Sequence, residues 1–261
     1  MSAPEPEQIY ERTRQEGRRR LSRPVLELAA TALVGGFDVA LGVAVFGLAA
    51  AAIEPRAGPD VAHLVGSIGF GIAFVFIVVG RSELFTENFL VPIAGLSRKR
   101  GSWLKLGELW VVSLVFNLVG GVVLAVLVTS HGVLRAGSGD SIVRLADHIA
   151  GYSAETAFLS GIVAGALMTV MTWFVEGAAD SHGVRIVMAW IVGTVLVLGG
   201  FNHAIVGTIE LFYGLRLDGG IGWDQLFSNL GLSVASNLVG GLALVTFARS
   251  AQAMGASRAA D

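Results

Sequence analysis

Apolar residues in this chain come in six long runs, near residues 25–52, 62–96, 105–130, 155–177, 184–214 and 224–249. About 20 apolar residues suffice to cross a hydrocarbon core as helix, so each run predicts a membrane span. A polar segment at 1–23 precedes the membrane body at 24–250, and a short tail at 251–261 follows it. Two runs break the pattern. The second and fifth each exceed 30 residues, or about 45–50 Å as continuous helix, against a hydrocarbon core of about 30 Å. Polar residues and glycine interrupt both midway: Gly80-Arg81-Ser82-Glu83-Leu84-Phe85-Thr86 in the second, Gly199-Gly200-Phe201-Asn202-His203-Ala204-Ile205-Val206-Gly207 in the fifth, with Pro92 as a further break in the second. The spacing predicts two helices broken at mid-membrane. Exposed backbone at that depth is tolerated where it lines a cavity or is buried in protein.

The interruptions repeat. Gly80 and Glu83 are followed 120 positions later by Gly200 and His203, and Asn117-Leu118-Val119-Gly120-Gly121 is followed at the same offset by Asn237-Leu238-Val239-Gly240-Gly241. Each half then holds three spans, about 25–130 and 155–250. An odd number of spans turns the second half upside down relative to the first. The fold class expected is therefore all-α integral membrane, with six transmembrane helices in two inverted three-helix repeats, an architecture of transporters and channels.

Composition narrows the function. Hydrophobic residues make up 54% of the chain and charged ones only 15%, where soluble domains carry about a quarter charged. A net charge of −2 offers no basic surface to nucleic acid. The absence of cysteine excludes disulfides and thiolate metal sites. No nucleophile–base pair, metal-ligand cluster or phosphate loop is visible, so neither an enzyme, a cofactor nor a metal is expected. The polar start shows no cleavable signal peptide. Arg12, Arg14, Arg18, Arg19, Arg20 and Arg23 precede the first span, and Arg98, Lys99, Arg100 and Lys105 fill the second connection. The other side holds only Arg56, Arg135, Arg144 and Arg216. This asymmetry places both termini in the cytoplasm of a multi-pass cell (inner) membrane protein. The Glu- and Arg-rich stretch 5–23 is expected as a surface helix, with gating as the alternative. Gly161 and Gly165, at small-xxx-small spacing among 35 glycines, read as helix-packing contacts.

His203, one of five histidines, stands at the middle of a membrane-length run, within its break. An imidazole at bilayer depth marks a substrate or proton pathway, against the plainer role of tying two helices together. Asn202 can bond that imidazole or an opposing backbone. Leu84 and Phe85 can narrow a pore, and the Thr86 hydroxyl can touch a solute. Arg81, Glu83 and Glu87 are charges in the first interruption, where pairing is required; Glu83 is expected to accept from backbone groups there. Asp38 and Glu210 are further intramembrane acids, open either to pairing with Arg81 or to a place near the interface. Arg185 opens the fifth span, either gathering anions or snorkelling to the interface. Asn117 and Asn237 are expected to satisfy backbone near the breaks.

These motifs carry a resemblance. Six spans, Gly80-x-x-Glu83-Leu84-Phe85-Thr86, Gly200-Phe201-Asn202-His203-Ala204-Ile205 and the paired Asn-x-x-Gly-Gly segments resemble the formate/nitrite transporter family over residues 18–250. The resemblance implies an aquaporin-like protomer, a homopentamer, and a pore through each protomer for a small monovalent anion such as formate, nitrite, hydrosulfide or lactate, often with a proton. By the same resemblance Leu84, Phe85 and Thr86 form the loop and inner constriction, and His203 is a central hydrogen-bond donor or proton relay. Phe70, Phe74 and Leu196 are candidates for the outer constriction, and Arg185 stands where transporting members carry lysine. Asn202 departs from an acidic residue usual before the histidine, and Arg81, Glu87, Asn88 and Glu210 add polar groups. The pattern is closest to the poorly characterised branch of the family.

The expected partners are thus a small anion, a proton, the lipid bilayer and further copies of the chain. Two rivals stay open: a channel for a neutral small solute, and a closed, non-transporting scaffold or sensor.

Overall fold

A computed structural model describes residues 4–97 and 99–260, the last five by backbone alone, and every regular element among them is helical. Arg98, one of the basic residues used above, lies outside the described residues. Helix α1 (Pro6–Leu21) opens with proline in its first turn and a reciprocal cap, in which Glu5 N–H donates to Gln8 Oε1 at 3.1 Å. Its last turn carries Arg18, Arg19 and Arg20, cations placed against the negative end of the helix dipole.

Helix α2 (Val25–Phe70) is not one straight rod. Gly58, with φ +81° and flanked by Pro55 and Pro59, leaves the helical path in a conformation that favours glycine. The chain doubles back there. Phe46 meets His63 with ring centroids 5.6 Å apart, and Gly69 faces Val45 and Ala49. The expected loop at 53–61 contracts to that single non-helical residue. Helix α3 (Ile72–Gly80) ends where Arg81 takes a left-handed φ of 57°. A 3-10 turn (Phe85–Phe89) and the short α4 (Val91–Gly95) complete the second run.

The second half follows a similar course. After α5 (Arg100–Val128) comes α6 (Ser138–Ala150), then α7 (Ala154–Gly177), α8 (His182–Leu198), an irregular stretch, and α9 (Val206–Arg216). Helix α10 (Trp223–Leu238) continues through a π-helical stretch (Val239–Thr246) into α11 (Phe247–Ala260). Among the described residues, Val25–Gly80, Arg100–Val128, Ala154–Gly177 and Trp223–Gly255 are long and apolar enough to cross a membrane, and His182–Leu198 is a shorter apolar helix. Outward faces remain apolar: Val111, Val115, Val119 and Val126 of α5 are all exposed at helical spacing.

The sequence reading did not foresee α6. Its buried residues Ile142, Leu145, Ala146 and Ile149 fall at i, i+3, i+4 and i+7, a one-sided apolar stripe in a segment too polar to span. The helix packs its stripe on α9, and Ala146 lies where a side chain on Gly214 would have to go. On the other face of the molecule, α1 packs on α4 in the same way: a side chain on Gly95 would strike Gly17, and one on Gly17 would strike the carbonyl of Val91. The expected surface helix is therefore seated, with Thr13 and Gly17 buried.

Two faces result. One, the terminal face, holds α1, Leu96, Ser97 and Lys99 between α4 and α5, the connection 178–181, and an Arg12–Asp180 ion pair of 2.8 Å. The opposite face holds Gly58, the connection after α5 and the end of α9, where Arg216 Nε donates to Thr129 Oγ1 at 3.4 Å.

Candidate functional site

Helices that stop in the interior leave backbone N–H and C=O groups without partners. Here two asparagines supply them. Asn117 Oδ1 accepts from Phe85 N–H at 2.8 Å, while its Nδ2 donates to the carbonyls of Glu83 (2.8 Å) and Ala32 (2.7 Å). Asn237 Oδ1 accepts from Ala204 N–H at 2.9 Å, while its Nδ2 donates to the carbonyls of Asn202 (3.0 Å) and Gly161 (2.8 Å). Both asparagines are fully buried.

These bonds correct the register. Glu83 answers to Asn202 and Phe85 to Ala204, both 119 positions apart, where Asn117 and Asn237 are 120 apart. Glu83 is therefore not the counterpart of His203; Leu84 is. Backbone satisfaction by Asn117 also leaves the Glu83 carboxylate free of the role expected for it. It is held instead by Arg20 Nη1 at 3.4 Å and by Arg23 Nη1, both from the N-terminal segment. Arg20 donates as well to Asn88 Oδ1 at 3.0 Å. Glu87 Oε2 accepts from Leu84 N–H at 3.1 Å, closing the loop on itself.

The two interruptions meet at Thr86 and His203, whose Oγ1 and Nε2 lie 2.7 Å apart, both fully buried. The hydrogen-bond pattern fixes the tautomer. His203 Nδ1 accepts from Ile205 N–H (3.2 Å) and Val206 N–H (3.0 Å), orphan donors at the start of α9. A ring nitrogen that accepts carries no proton, so the neutral ring has its proton on Nε2 and donates to Thr86. The Thr86 hydroxyl proton is then free to point elsewhere.

Around this pair the expected pathway residues sort into two groups. Leu84 and Phe85 are buried beside Thr86, and Phe85 packs edge-on against Phe89 at 5.1 Å. Phe70 and Phe74 are fully buried, edge-on at 5.9 Å; Phe74 lies against Gly193, one turn before Leu196 on α8. Of its two expected partners, the imidazole or an opposing backbone, Asn202 bonds the second. Its amide exchanges bonds with Asn229 of α10 (2.8 and 3.1 Å) and donates to Ala157 O of α7 (3.2 Å), so it ties the loop to neighbouring helices. Asp38 accepts from Ser82 Oγ at 2.5 Å rather than pairing with Arg81.

A cavity opens at each end. On the terminal face one of about 240 Å³ is lined by Arg19, Arg20, Arg23, Arg81 and Arg185 with Glu16, Glu83, Glu87 and Glu176. Arg185 Nε is buried there without a hydrogen-bond partner among the described residues. Burial works to lower the Arg20 guanidinium, but Glu83, Glu87 and Glu16 outweigh it and hold it above its ordinary value. On the opposite face a cavity of about 650 Å³ is lined by Asp60, His63, Ser141, Arg144 and His148 among apolar residues. Arg144 pairs there with Glu54. His148, Tyr152 and Asn229 are site residues that the sequence reading missed; the stripe of α6 was the signal that would have drawn it to His148.

The arrangement is thus two cavities on opposite faces, each with charged side chains in its lining, separated by apolar side chains and one buried Thr–His hydrogen bond. Comparison with known proteins agrees with it. Residues 7–251 match the formate/nitrite transporter family. The chain is 25% identical over 248 residues to the inner membrane protein YfdC of Escherichia coli K12, covering 94% of this chain and 77% of that one. It is 30% identical over 205 residues to a probable formate transporter of Methanothermobacter thermautotrophicus, covering 70% and 72%. Its fold is similar to a pentameric formate channel solved with formate bound, with TM-score 0.70, 18% identity, and 83% and 92% of the two chains covered. The chain belongs to the formate/nitrite transporter family, a family of membrane channels and transporters.

Proposed function

We propose that this protein conducts a small monovalent anion of the formate, nitrite, hydrosulfide or lactate class, together with a proton, through a pore in each protomer. The observation that carries this reading is the Thr86–His203 pair, 2.7 Å long and buried between two cavities on opposite faces. A bare anion in the apolar stretch around Leu84, Phe85, Phe74 and Leu196 is costly. At the pair it meets a hydroxyl and an imidazole N–H, and it crosses as the neutral acid or as a hydrogen-bonded guest. His203 acts there as a donor, because a proton relay through Nδ1 would have to break both bonds from the start of α9.

The rest of the reading follows the fold. Six crossings are counted when the doubled-back α2–α3 run is two, and α8, the break and α9 together are one. The Asn117 and Asn237 triads then mark two inverted halves around an aquaporin-like centre. By likeness to the pentameric formate channel the chain assembles as a homopentamer, its exposed apolar faces turned to lipid and to other copies. The terminal face is cytoplasmic.

Uptake of formate, nitrite, hydrosulfide and lactate into proteoliposomes, from about pH 5 to about pH 8, tests the reading, with His203→Ala alongside. Saturable uptake of one of these that rises as pH falls, and is altered in the variant, is expected. Flux of glycerol or water without any anion moves the assignment to a neutral-solute pore. No flux from an intact oligomer leaves a closed scaffold, for which the Arg20–Glu83–Arg23 cluster is the supporting observation.

A further inference from the structure

Glu210 is the acid that the pathway described so far does not use. It sits on α9, one turn beyond Val206, and is 3% exposed. Among the described residues its carboxyl takes part in no hydrogen bond or ion pair, unlike Glu83, Glu87 and Asp38. It lines a narrow void of about 10 Å³ with Leu196, Phe201, Leu145 and His148, a size near that of a single water. Leu145 and His148 also line the 650 Å³ cavity on the opposite face. Because α9 runs from His203 toward that face, Glu210 lies between the central pair and the wide cavity.

His148 is set up to exchange protons with that cavity. The Tyr152 hydroxyl donates its only proton to Gly200 O at 2.6 Å. Its 2.9 Å contact with His148 Nε2 therefore has the imidazole donating, which leaves the Nδ1 lone pair free to take a proton. Tyr152 and His148 are the titratable groups turned toward Glu210. The α8 helix and the break contribute only Leu196, Val197, Gly200 and Phe201 to the void, while Asp60, His63 and the Glu54–Arg144 pair lie farther out.

We infer that Glu210 is a proton-exchange site, loaded through His148, that protonates the anion on the opposite-face side of His203. The step is a single proton transfer. The carboxylic acid of Glu210 gives its proton to the arriving anion, which continues as the neutral acid. The carboxylate left behind recovers a proton from the His148 imidazolium, which recharges from water in the wide cavity. The inference rests on the anion-pore reading and gives its proton a source. An ionised Glu210 without a partner would be costly, so the exchange is tied to arrival of the anion or of His148's proton.

The test measures formate uptake by wild-type, Glu210→Gln, Glu210→Asp and His148→Phe protein in proteoliposomes across the same pH range, with assembly checked by gel filtration. Glutamine keeps the shape of the neutral acid but has no proton to give. At least a tenfold loss of uptake with a flattened pH profile is expected for Glu210→Gln, partial recovery for Glu210→Asp, and a displaced profile for His148→Phe. Wild-type rate and profile in Glu210→Gln overturn the inference while leaving the pore standing. Infrared difference spectra of the wild type and of the assembled variants, between acid and alkaline pH, need no substrate. A carboxylic acid band that titrates in the wild type, is missing in Glu210→Gln and moves in His148→Phe supports the exchange even where no anion is carried. A spectrum identical in all three overturns it.

Discussion

Asn117 and Asn237 each make three hydrogen bonds that a broken helix cannot make for itself, and both are fully buried. Alanine at either position leaves three interior backbone groups unpaired, so a loss of roughly 3–6 kcal/mol in unfolding free energy is expected, read from thermal or denaturant unfolding in detergent. A near-neutral change would mean that the loops are held by other contacts. The Thr86 hydroxyl is a different kind of group, because its buried partner is the His203 side chain rather than the backbone of a break. Thr86→Val deprives His203 of its acceptor and the solute of a hydroxyl; it should cost about 1–3 kcal/mol of stability and lower anion flux at least tenfold, with Thr86→Ser retaining most of the flux. Equal flux in the valine variant would remove Thr86 from the mechanism. At this scale the sequence was legible where one residue type has one job: a buried asparagine beside a break, or a histidine within an apolar run. It was misread where partners came from afar. Nothing adjacent to Glu83 announces Arg20 and Arg23, 63 and 60 positions upstream, and nothing adjacent to Asn202 announces Asn229.

Between residue and molecule stand α1 and α6, two amphipathic helices that seal the short inner helices from opposite faces. Gly17 with Gly95 on one face answers to Ala146 with Gly214 on the other, at separations of 129 and 119 positions. The 129 recurs between Ala32 and Gly161, the first-arm carbonyls held by Asn117 and Asn237, and the 119 between the two breaks. In the proposed repeat each half then carries its own cap helix, and the repeat begins earlier than the apolar runs suggested. The sequence hid this because two offsets replace one, and because caps are too polar to look like spans. The α1 cap is held by charge as well as contact. Burial works to raise the Glu16 carboxyl, but the hydrogen bond from Arg19 and the charges of Arg20 and Arg19 outweigh it and hold it below the usual range. A carboxyl depressed in the folded state adds stability above its unfolded value near about pH 4.3 and loses it as pH falls through the folded one. Hydrogen exchange across residues 6–21 should therefore accelerate in acid below that range, and Glu16→Gln should exchange faster than wild type at neutral pH while losing the acid step. Gly17→Ala should release the cap at every pH, since the added methyl meets the Val91 carbonyl.

For the whole molecule, the distribution of charge and the path of the chain make independent claims about orientation. The terminal face collects Arg12, Arg14, Arg18, Arg19, Arg20, Arg23, Lys99, Arg100 and Lys105, while among the described residues the opposite face offers Arg56, Arg135, Arg144 and Arg216. Basic residues beside short connections are retained in the cytoplasm. The backbone separately requires Ser97 and Ser181 to share one face and Ser130 to lie on the other, because α5 and α7 each run from face to face and α6 stays on the far one. With no cysteine in the chain, single substitutions report without background. Ser97→Cys and Ser181→Cys should react with a membrane-impermeant maleimide only after right-side-out vesicles are opened, and Ser130→Cys should react in sealed ones. All three are exposed, so reactivity reads sidedness rather than burial. Reversal of all three would leave the fold intact and turn the protein over, making the arginine-lined cavity the outer one and Glu210 an inner proton site. Separation of Ser97 from Ser181 would contradict the chain path itself, and with it the pairing of the two breaks that brings Thr86 to His203.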